Sequence, residues 1–142
     1  MQEDMFPHTV TVYHNPDGEV ESITILRGVL LDESPAAEAS TRGHSGTGKA
    51  TLYVPFQVEA LDGLTGRPKR YAVPVEFEQA EEKAGLWTFS PGASFFIKGG
   101  VVEPDMDRQQ IGEKYPSVYE VVSIATRDFG SPDMRHWEAG GK

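Results

Sequence analysis

The chain has 142 residues, with 22 Asp and Glu against 13 Lys and Arg, a formal net charge of −9 and no cysteine. This length predicts a single domain that spans residues 1–142. The charge argues against a protein that holds DNA or RNA through its phosphates, because such binding needs Lys and Arg, and the missing cysteine excludes disulfides and thiol chemistry.

The N-terminal part predicts no export signal and then a β-hairpin. Its first residues are acidic where a secretory signal is basic and then apolar, and no later stretch has membrane-spanning length, so we expect a protein made in a cytoplasm without a membrane partner. Residues 9–14 alternate, residues 15–18 read Asn-Pro-Asp-Gly, and apolar residues resume over residues 20–31, which is a strong hairpin signal. Both faces of the second run are apolar near its end, so we expect a central strand or one that bends between layers.

The middle of the chain predicts a long loop followed by two strands. Residues 32–49 are rich in Ala, Ser, Thr, Gly and Glu and offer almost nothing to bury, which predicts a long mobile loop. Residues 51–59 show the clearest alternation in the chain and predict a half-buried strand. A turn at residues 62–66 leads into a second alternating run over residues 71–77, in which Pro74 favours an edge position or a strand end.

The following part predicts two short helices and two strands. Residues 76–84 are rich in Glu and Ala and predict a short helix. Residues 87–89 and 95–102 predict strands, and residues 104–115 predict a second helix with Asp105 as its N-cap.

The end of the chain predicts a terminal hairpin over residues 118–139. An alternating run from Val118 enters a loop with Asp, Gly, Ser and Pro at residues 127–133, and a second run with His136 and Trp137 leaves it. Together these segments predict a mainly β fold: a small antiparallel β-barrel or sandwich of about seven or eight strands with one or two short helices.

No motif predicts an enzyme, a cofactor or a metal site. Residues 43–49 nearly match a phosphate-binding loop, but Ala50 replaces its hydroxyl residue and a strand follows where a helix is required. An EF-hand loop that begins at Asp105 needs Gly and Glu where the chain has Gln110 and Pro116. The four histidines have no spacing typical of a metal-ligand pair.

Four aromatic residues close together in the sequence predict part of the core. Trp87 and Phe89 have the same parity, and Phe95 has the parity of Ile97, so these side chains should be buried. Phe96 then remains as the aromatic residue that we expect to be exposed or at an interface.

Several motifs in order along the chain resemble those of small minor structural proteins from phages and prophages of Gram-positive bacteria. They are PHTVTVY at residues 7–13, LRGV at 26–29, LYVPF at 52–56, WTFSPG at 87–92, FFIKG at 95–99, and RDFGSP with MRHW in the terminal hairpin. More remotely, the chain is similar to phage head-closure (stopper) proteins. The resemblance implies a virion component without enzymatic motifs, so it provides no catalytic residues.

The head-closure resemblance implies a homo-oligomeric ring between the portal or adaptor and the tail, in the virion and, during assembly, in the host cytoplasm. DNA would pass through the acidic channel without specific binding, and a free sheet edge could accept a strand from an adjacent chain. The alternatives are a minor capsid, tail-completion or tail-terminator protein and, more distantly, a small β binding module or an enzyme for a soluble ligand. The expected partner contacts are Glu38, Arg42, His44, Lys49, Phe96, Arg127, Asp128 and Phe129.

Overall fold

The computed structural model describes residues 5–16, 18–34 and 48–142. These residues form nine strands and two α-helices in the order β1 (His8–His14), β2 (Ser22–Ser34), β3 (Lys49–Pro55), β4 (Glu59–Asp62), β5 (Arg70–Tyr71), α1 (Pro74–Gln79), β6 (Leu86–Trp87), β7 (Ser94–Lys98), α2 (Arg108–Lys114), β8 (Val118–Arg127) and β9 (His136–Gly141).

Six of the strands close an antiparallel barrel. Their order around it is β1, β7, β8, β9, β3 and β2, and β2 pairs back to β1. β4 adds to the first half of β2, and β5 pairs with β6 in a separate parallel ladder. The predicted mainly β fold is therefore confirmed, and it is a barrel.

The long strand β2 bends at Gly28. His8 lies opposite Val29 whereas Thr9 lies opposite Arg27, so Gly28 is an extra residue in the ladder, and its φ of +89° is one that glycine adopts readily. Before this bulge β2 pairs with β1 and β4, and after it β2 pairs with β3. The expectation of a central or bending strand is thus confirmed.

The predicted loop over residues 32–49 is too long at both ends. β2 continues to Ser34 and β3 begins at Lys49, and Glu33 lies opposite Ala50 in the ladder that joins them. Backbone pairing extends these strands past the last apolar residue, which side-chain composition does not reveal. Residues 35–47 of the predicted loop lie outside the described residues.

The core has two main parts, one on each side of the barrel wall. The interior cluster includes Val10, Leu26, Leu52, Val54, Phe89, Phe96, Val121 and Ala139. An outer cluster joins Tyr13, Ile23, Phe95, Ile97, Ile111 and Val118, and Ile111 comes from α2. β7 contributes to both clusters, so it is buried on both faces.

The predicted strand over residues 71–77 is wrong. β5 ends at Tyr71 and Pro74 begins α1, since proline at the first helical position loses no hydrogen bond and has a suitable φ. Phe77, fully buried on α1, packs with Ala72 and Leu86. The helix predicted over residues 76–84 consequently begins two residues earlier and ends at Gln79.

Other boundaries also differ from the prediction. The strand predicted over residues 95–102 ends at Lys98, where the backbone turns at Gly99 with a φ of +94°. The alternating run over residues 51–59 divides into β3 and β4, because the chain turns after Pro55. α2 begins with Asp107 as its N-cap, not Asp105, and the Asp107 carboxylate accepts a hydrogen bond from the Gln110 backbone N–H at 2.9 Å. The Asp107 backbone N–H in turn donates a hydrogen bond to Gln110 Oε1, which completes a capping box. In the described part of the chain, neither helix has the length and apolar character needed to cross a membrane.

Candidate functional site

The C-terminal hairpin, predicted over residues 118–139, is confirmed, and its second strand pairs with β3 in the barrel wall from Gly141 to His136. β8 pairs with β9 from Val121 opposite Gly141 to Arg127 opposite His136. β7 contacts only the first residues of β8, from Val118 to Glu120. Residues 123–127 of β8 therefore pair with β9 on one side and with no described strand on the other. We call the connecting residues 128–135 the tip.

The tip has internal hydrogen bonds that give it a defined shape. Gly130 has a φ of +86°, and Pro132–Met134 form one turn of 3₁₀ helix in which the Met134 N–H donates to the Ser131 carbonyl at 2.9 Å. The Ser131 hydroxyl donates to Asp133 Oδ1 at 2.7 Å, which lowers the pKa of that carboxyl group. The tip is therefore an ordered turn.

The tip exposes two large apolar side chains. Phe129 is 69% exposed and Met134 is 66% exposed. A Cβ atom built at Gly130 would lie 3.8 Å from Met134 Cβ. The Met134 side chain therefore packs beside Gly130, the residue that follows Phe129. The neighbouring side chains of Asp128 and Asp133 are exposed and acidic. Protein interfaces typically have an apolar centre and a polar rim. The pair Phe129 and Met134 resembles such a centre, and the two aspartates resemble its rim.

At the base of the tip, the Glu138 carboxylate contacts two side chains. His136 Nε2 lies 3.0 Å from its Oε2 atom, and Arg127 Nε donates to the same oxygen at 3.1 Å. The contact with His136, followed by that with Arg127, keeps the pKa of Glu138 below its ordinary value even though partial burial opposes this. Arg127, a predicted partner contact, thus already has an intramolecular partner, while Asp128 and Phe129 lie on the exposed tip.

The remaining predicted contact residues have different locations. Lys49 is the exposed first residue of β3. Phe96 is 0% exposed and packs against the Tyr119 ring at 5.6 Å between centroids, so the prediction that it is exposed or at an interface is wrong. Its side of β7 faces the barrel interior, while the other side is covered by the outer cluster. Glu38, Arg42 and His44 lie outside the described residues.

Near the end of β2, Glu33 joins three strands. The Tyr119 hydroxyl donates to Glu33 Oε2, and Lys98 Nζ lies 3.4 Å from Oε1. The hydrogen bond from Tyr119 lowers the pKa of Glu33. Burial first, and the Glu33 carboxylate second, raise the pKa of Tyr119 to about 12. Glu33 is therefore a fixed structural contact between β2, β7 and β8.

The structure brings together three titratable residues that the sequence did not indicate as a group. His14 is the buried last residue of β1, Glu21 precedes β2, and Glu78 lies on α1. Their side-chain donor atoms all lie within 4.8 Å of one another. No local spacing could have revealed the group, because Glu78 follows His14 by 64 positions and reaches it only through tertiary packing.

Comparison with known proteins gives a family without an assigned activity. No curated protein and no solved structure matches the chain significantly. A family model described as "Family of unknown function (DUF6751)" matches residues 5–142. Because the match covers nearly the whole chain, the chain belongs to the family DUF6751.

Proposed function

We propose that this protein is a structural component of a bacteriophage virion, and specifically a head-closure or neck protein that forms a ring between the portal or adaptor and the tail. The observation that carries the proposal is the tip, an ordered turn at the end of the C-terminal hairpin that exposes Phe129 and Met134. The motifs that resemble those of phage minor structural proteins suggest that this contact surface acts in a virion.

The chemistry of the tip suits contact with another protein chain. Aromatic side chains and methionine are enriched in the buried centres of interfaces, and a polar rim surrounds them. Single exposed apolar residues are common on protein surfaces, but here two of them share one short, hydrogen-bonded turn. Because the turn is already ordered, binding through it would cost little conformational entropy.

The free side of β8 offers a second kind of contact. Residues 123–127 present backbone groups that no described strand pairs with, and an extended segment of an adjacent subunit can add to such an edge. Leu30–Ser34 of β2 likewise pair with a described strand, β3, on one side only. The hairpin edge is the one that leads into the tip with its exposed Phe129 and Met134, so contacts between subunits would concentrate there.

The charge of the chain suits a position around a DNA channel. With a formal net charge of −9, a ring of subunits has a strongly negative potential that repels phosphate and lets DNA pass without adhering. A minor capsid, tail-completion or tail-terminator protein would use the same tip and is the alternative proposal. Binding to the portal or to the tail proteins distinguishes these positions.

The described residues give less support to a module or enzyme for a soluble ligand. A cleft of about 200 Å³ has a lining that includes Asn15, Ser94, Phe95, Arg108 and Glu120. Ligand pockets typically have volumes of about 300–1,000 Å³. The Arg108 guanidinium also has intramolecular contacts, since it lies over the Phe95 ring and 3.6 Å from Glu120.

Native mass spectrometry of the full chain tests the proposal, alone and mixed with the portal, adaptor and tail proteins of the same phage or prophage. We expect a ring of identical subunits or a complex with these proteins. The double variant Phe129→Ser/Met134→Ser should remain a folded monomer, because both changes lie on the exposed tip. Leu64→Ser is the matched control, since Leu64 is 66% exposed in a different turn.

Two results would contradict the proposal. The first is a wild-type chain that stays monomeric in every mixture. The second is a ring that the tip variant forms as readily as the Leu64→Ser variant, which would show that the tip is not the contact surface.

A further inference from the structure

The cluster of His14, Glu21 and Glu78 has the geometry of a small metal site. His14 Nε2 lies 3.0 Å from Glu78 Oε1 and 4.0 Å from Glu21 Oε1. The three side chains come from β1, from the residue before β2 and from α1. Backbone bonding fixes two of them relative to each other, because the Glu21 N–H donates to the His14 carbonyl at 2.7 Å.

The histidine ring is held from its other side. His14 is 2% exposed, and Phe77 contacts it edge to face at 4.8 Å between ring centroids. Nδ1 lies 3.3 Å from the Ser94 hydroxyl, which also accepts a hydrogen bond from the Ser90 N–H at 2.9 Å. When Nε2 binds a metal ion, the ring proton lies on Nδ1 and would be donated to the Ser94 hydroxyl. Such a partner on the second ring nitrogen is the usual arrangement around a metal-binding histidine.

Spacing and charge both agree with a bound cation. A tetrahedral ion with metal–ligand distances of about 2.0–2.1 Å holds its ligand atoms about 3.3 Å apart, and the two observed distances from Nε2 lie on either side of this value. The two carboxylates that converge on the His14 ring carry two formal negative charges. A divalent ion at their centre would balance them.

We propose that His14, Glu21 and Glu78 bind a divalent transition metal ion such as Zn²⁺. One imidazole and two carboxylates suit zinc, whereas Mg²⁺ and Ca²⁺ prefer sites made entirely of oxygen ligands. The two glutamate side chains are 42% and 51% exposed, so the fourth position faces solvent. The ion would join α1 to β1 and to the start of β2. This site is independent of the virion role proposed above.

Calorimetric titration of the metal-stripped full chain with Zn²⁺ tests the site. We expect one ion per chain, which excess Mg²⁺ does not displace, and a higher Tm in the presence of zinc because the ion binds the folded state. Glu21→Gln and Glu78→Gln should each weaken binding at least about tenfold, and the double variant should lose both binding and the Tm increase. These variants carry the test because both carboxylates are exposed, whereas replacing the buried His14 could unfold the chain.

The matched control is Glu138→Gln. His136 and Glu138 have the same 3.0 Å contact as His14 and Glu78, but Arg127 occupies the place of a second carboxylate. Zinc binding should therefore be unchanged in this variant. Equal zinc binding by the wild type and by the Glu21→Gln/Glu78→Gln variant, no binding by the wild type, or an equal loss in Glu138→Gln would each overturn the proposal.

Discussion

The ammonium group of Lys69 lies among four oxygen atoms. Its Nζ is 2.9 Å from Thr24 Oγ1, 3.2 Å from both Ser22 Oγ and the Ile23 carbonyl, and 3.1 Å from Asp62 Oδ1. The side chain is 2% exposed, and this burial lowers the pKa of Lys69 although Asp62 opposes the shift. The lysine thus joins the start of β2 to the end of β4.

Replacing Lys69 by methionine should destabilise the fold. The change keeps most of the side-chain volume but removes this donor from the oxygens of Ser22, Ile23 and Thr24, of which the Ile23 carbonyl retains the Gly63 N–H at 2.9 Å. The Asp62 carboxylate still accepts hydrogen bonds from the backbone N–H groups of Leu64 and Thr65, so it is not left without a partner. We therefore expect the free energy of unfolding to fall by only about 2–3 kcal/mol. Urea denaturation measures it, with the exposed Arg67→Met as the control. Equal midpoints for the two variants would show that the oxygen contacts contribute nothing.

The stability of the fold should depend on pH through Glu33. Its folded pKa lies below the ordinary 4.5 because Tyr119 donates a hydrogen bond to it. The folded state therefore binds fewer protons than the unfolded state. The resulting stabilisation is complete above pH 4.5 and is lost as the pH falls through the folded pKa.

At neutral pH, Glu33→Gln should thus be about 1 kcal/mol less stable than the wild type. The difference should shrink as the pH falls below 4.5, and Tyr119→Phe should behave in the same way because it removes the donor. Urea denaturation at a series of pH values measures both variants. A difference that stays constant from neutral to acid pH would contradict this assignment of the shift.

Among the secondary structure elements, β2 depends on a single glycine for its bend. Alanine at Gly28 would meet no atom within 4 Å, but it would have to adopt a φ of +89°. The cost is therefore one of backbone conformation alone, about 1–2 kcal/mol. Gly85 is the matched control, since its Cβ position is also open and its φ is not in the left-handed region.

In thermal and urea unfolding, Gly28→Ala and Gly85→Ala should therefore change the free energy of unfolding by different amounts. Gly28→Ala should lower the free energy of unfolding by the amount above, whereas Gly85→Ala should be neutral or slightly stabilising. Equal effects would indicate that the bulge can relax to a conformation that alanine adopts easily.

The elements that could be predicted from the sequence are those with a local pattern. Alternation and turn residues located β1, β2, the Asp62 turn and the C-terminal hairpin within a few residues. The same rule failed over residues 71–77, where Val73 and Val75 alternate but are exposed at the start of α1. Alternation predicts a strand only where a neighbouring strand is available, and the sequence does not show that.

Sequence patterns gave less information about the candidate sites. Phe96 was expected at an interface because parity assigned the other face of β7 to the core, yet a second cluster around Ile111 covers the outer face and both faces are buried. Phe129 was predicted as a contact residue, but its neighbour in the tip, Met134, was not. His14 and Glu78 meet only because α1 packs on the barrel, and no sequence spacing carries that information.

At the scale of the whole molecule, neither barrel closure nor net charge favours assembly. Closure pairs β1 with both β2 and β7, so the fold does not need a second chain to complete its sheet. Each chain also has a formal net charge of −9, so neighbours in the proposed ring would repel one another. Any ring must therefore form through local contacts strong enough to exceed this repulsion, and the apolar tip can supply them.

This balance predicts how ring formation depends on salt. The screening length falls from about 30 Å at 10 mM to about 8 Å at 150 mM ionic strength, which weakens repulsion between whole subunits but leaves the burial of Phe129 and Met134 almost unchanged. The ring fraction in native mass spectrometry or analytical ultracentrifugation should therefore rise over this range. The Phe129→Ser/Met134→Ser variant should form fewer rings at every salt concentration. A ring that dissociates as salt is added would instead show that ion pairs, such as those available to Asp128 and Asp133, hold the subunits together.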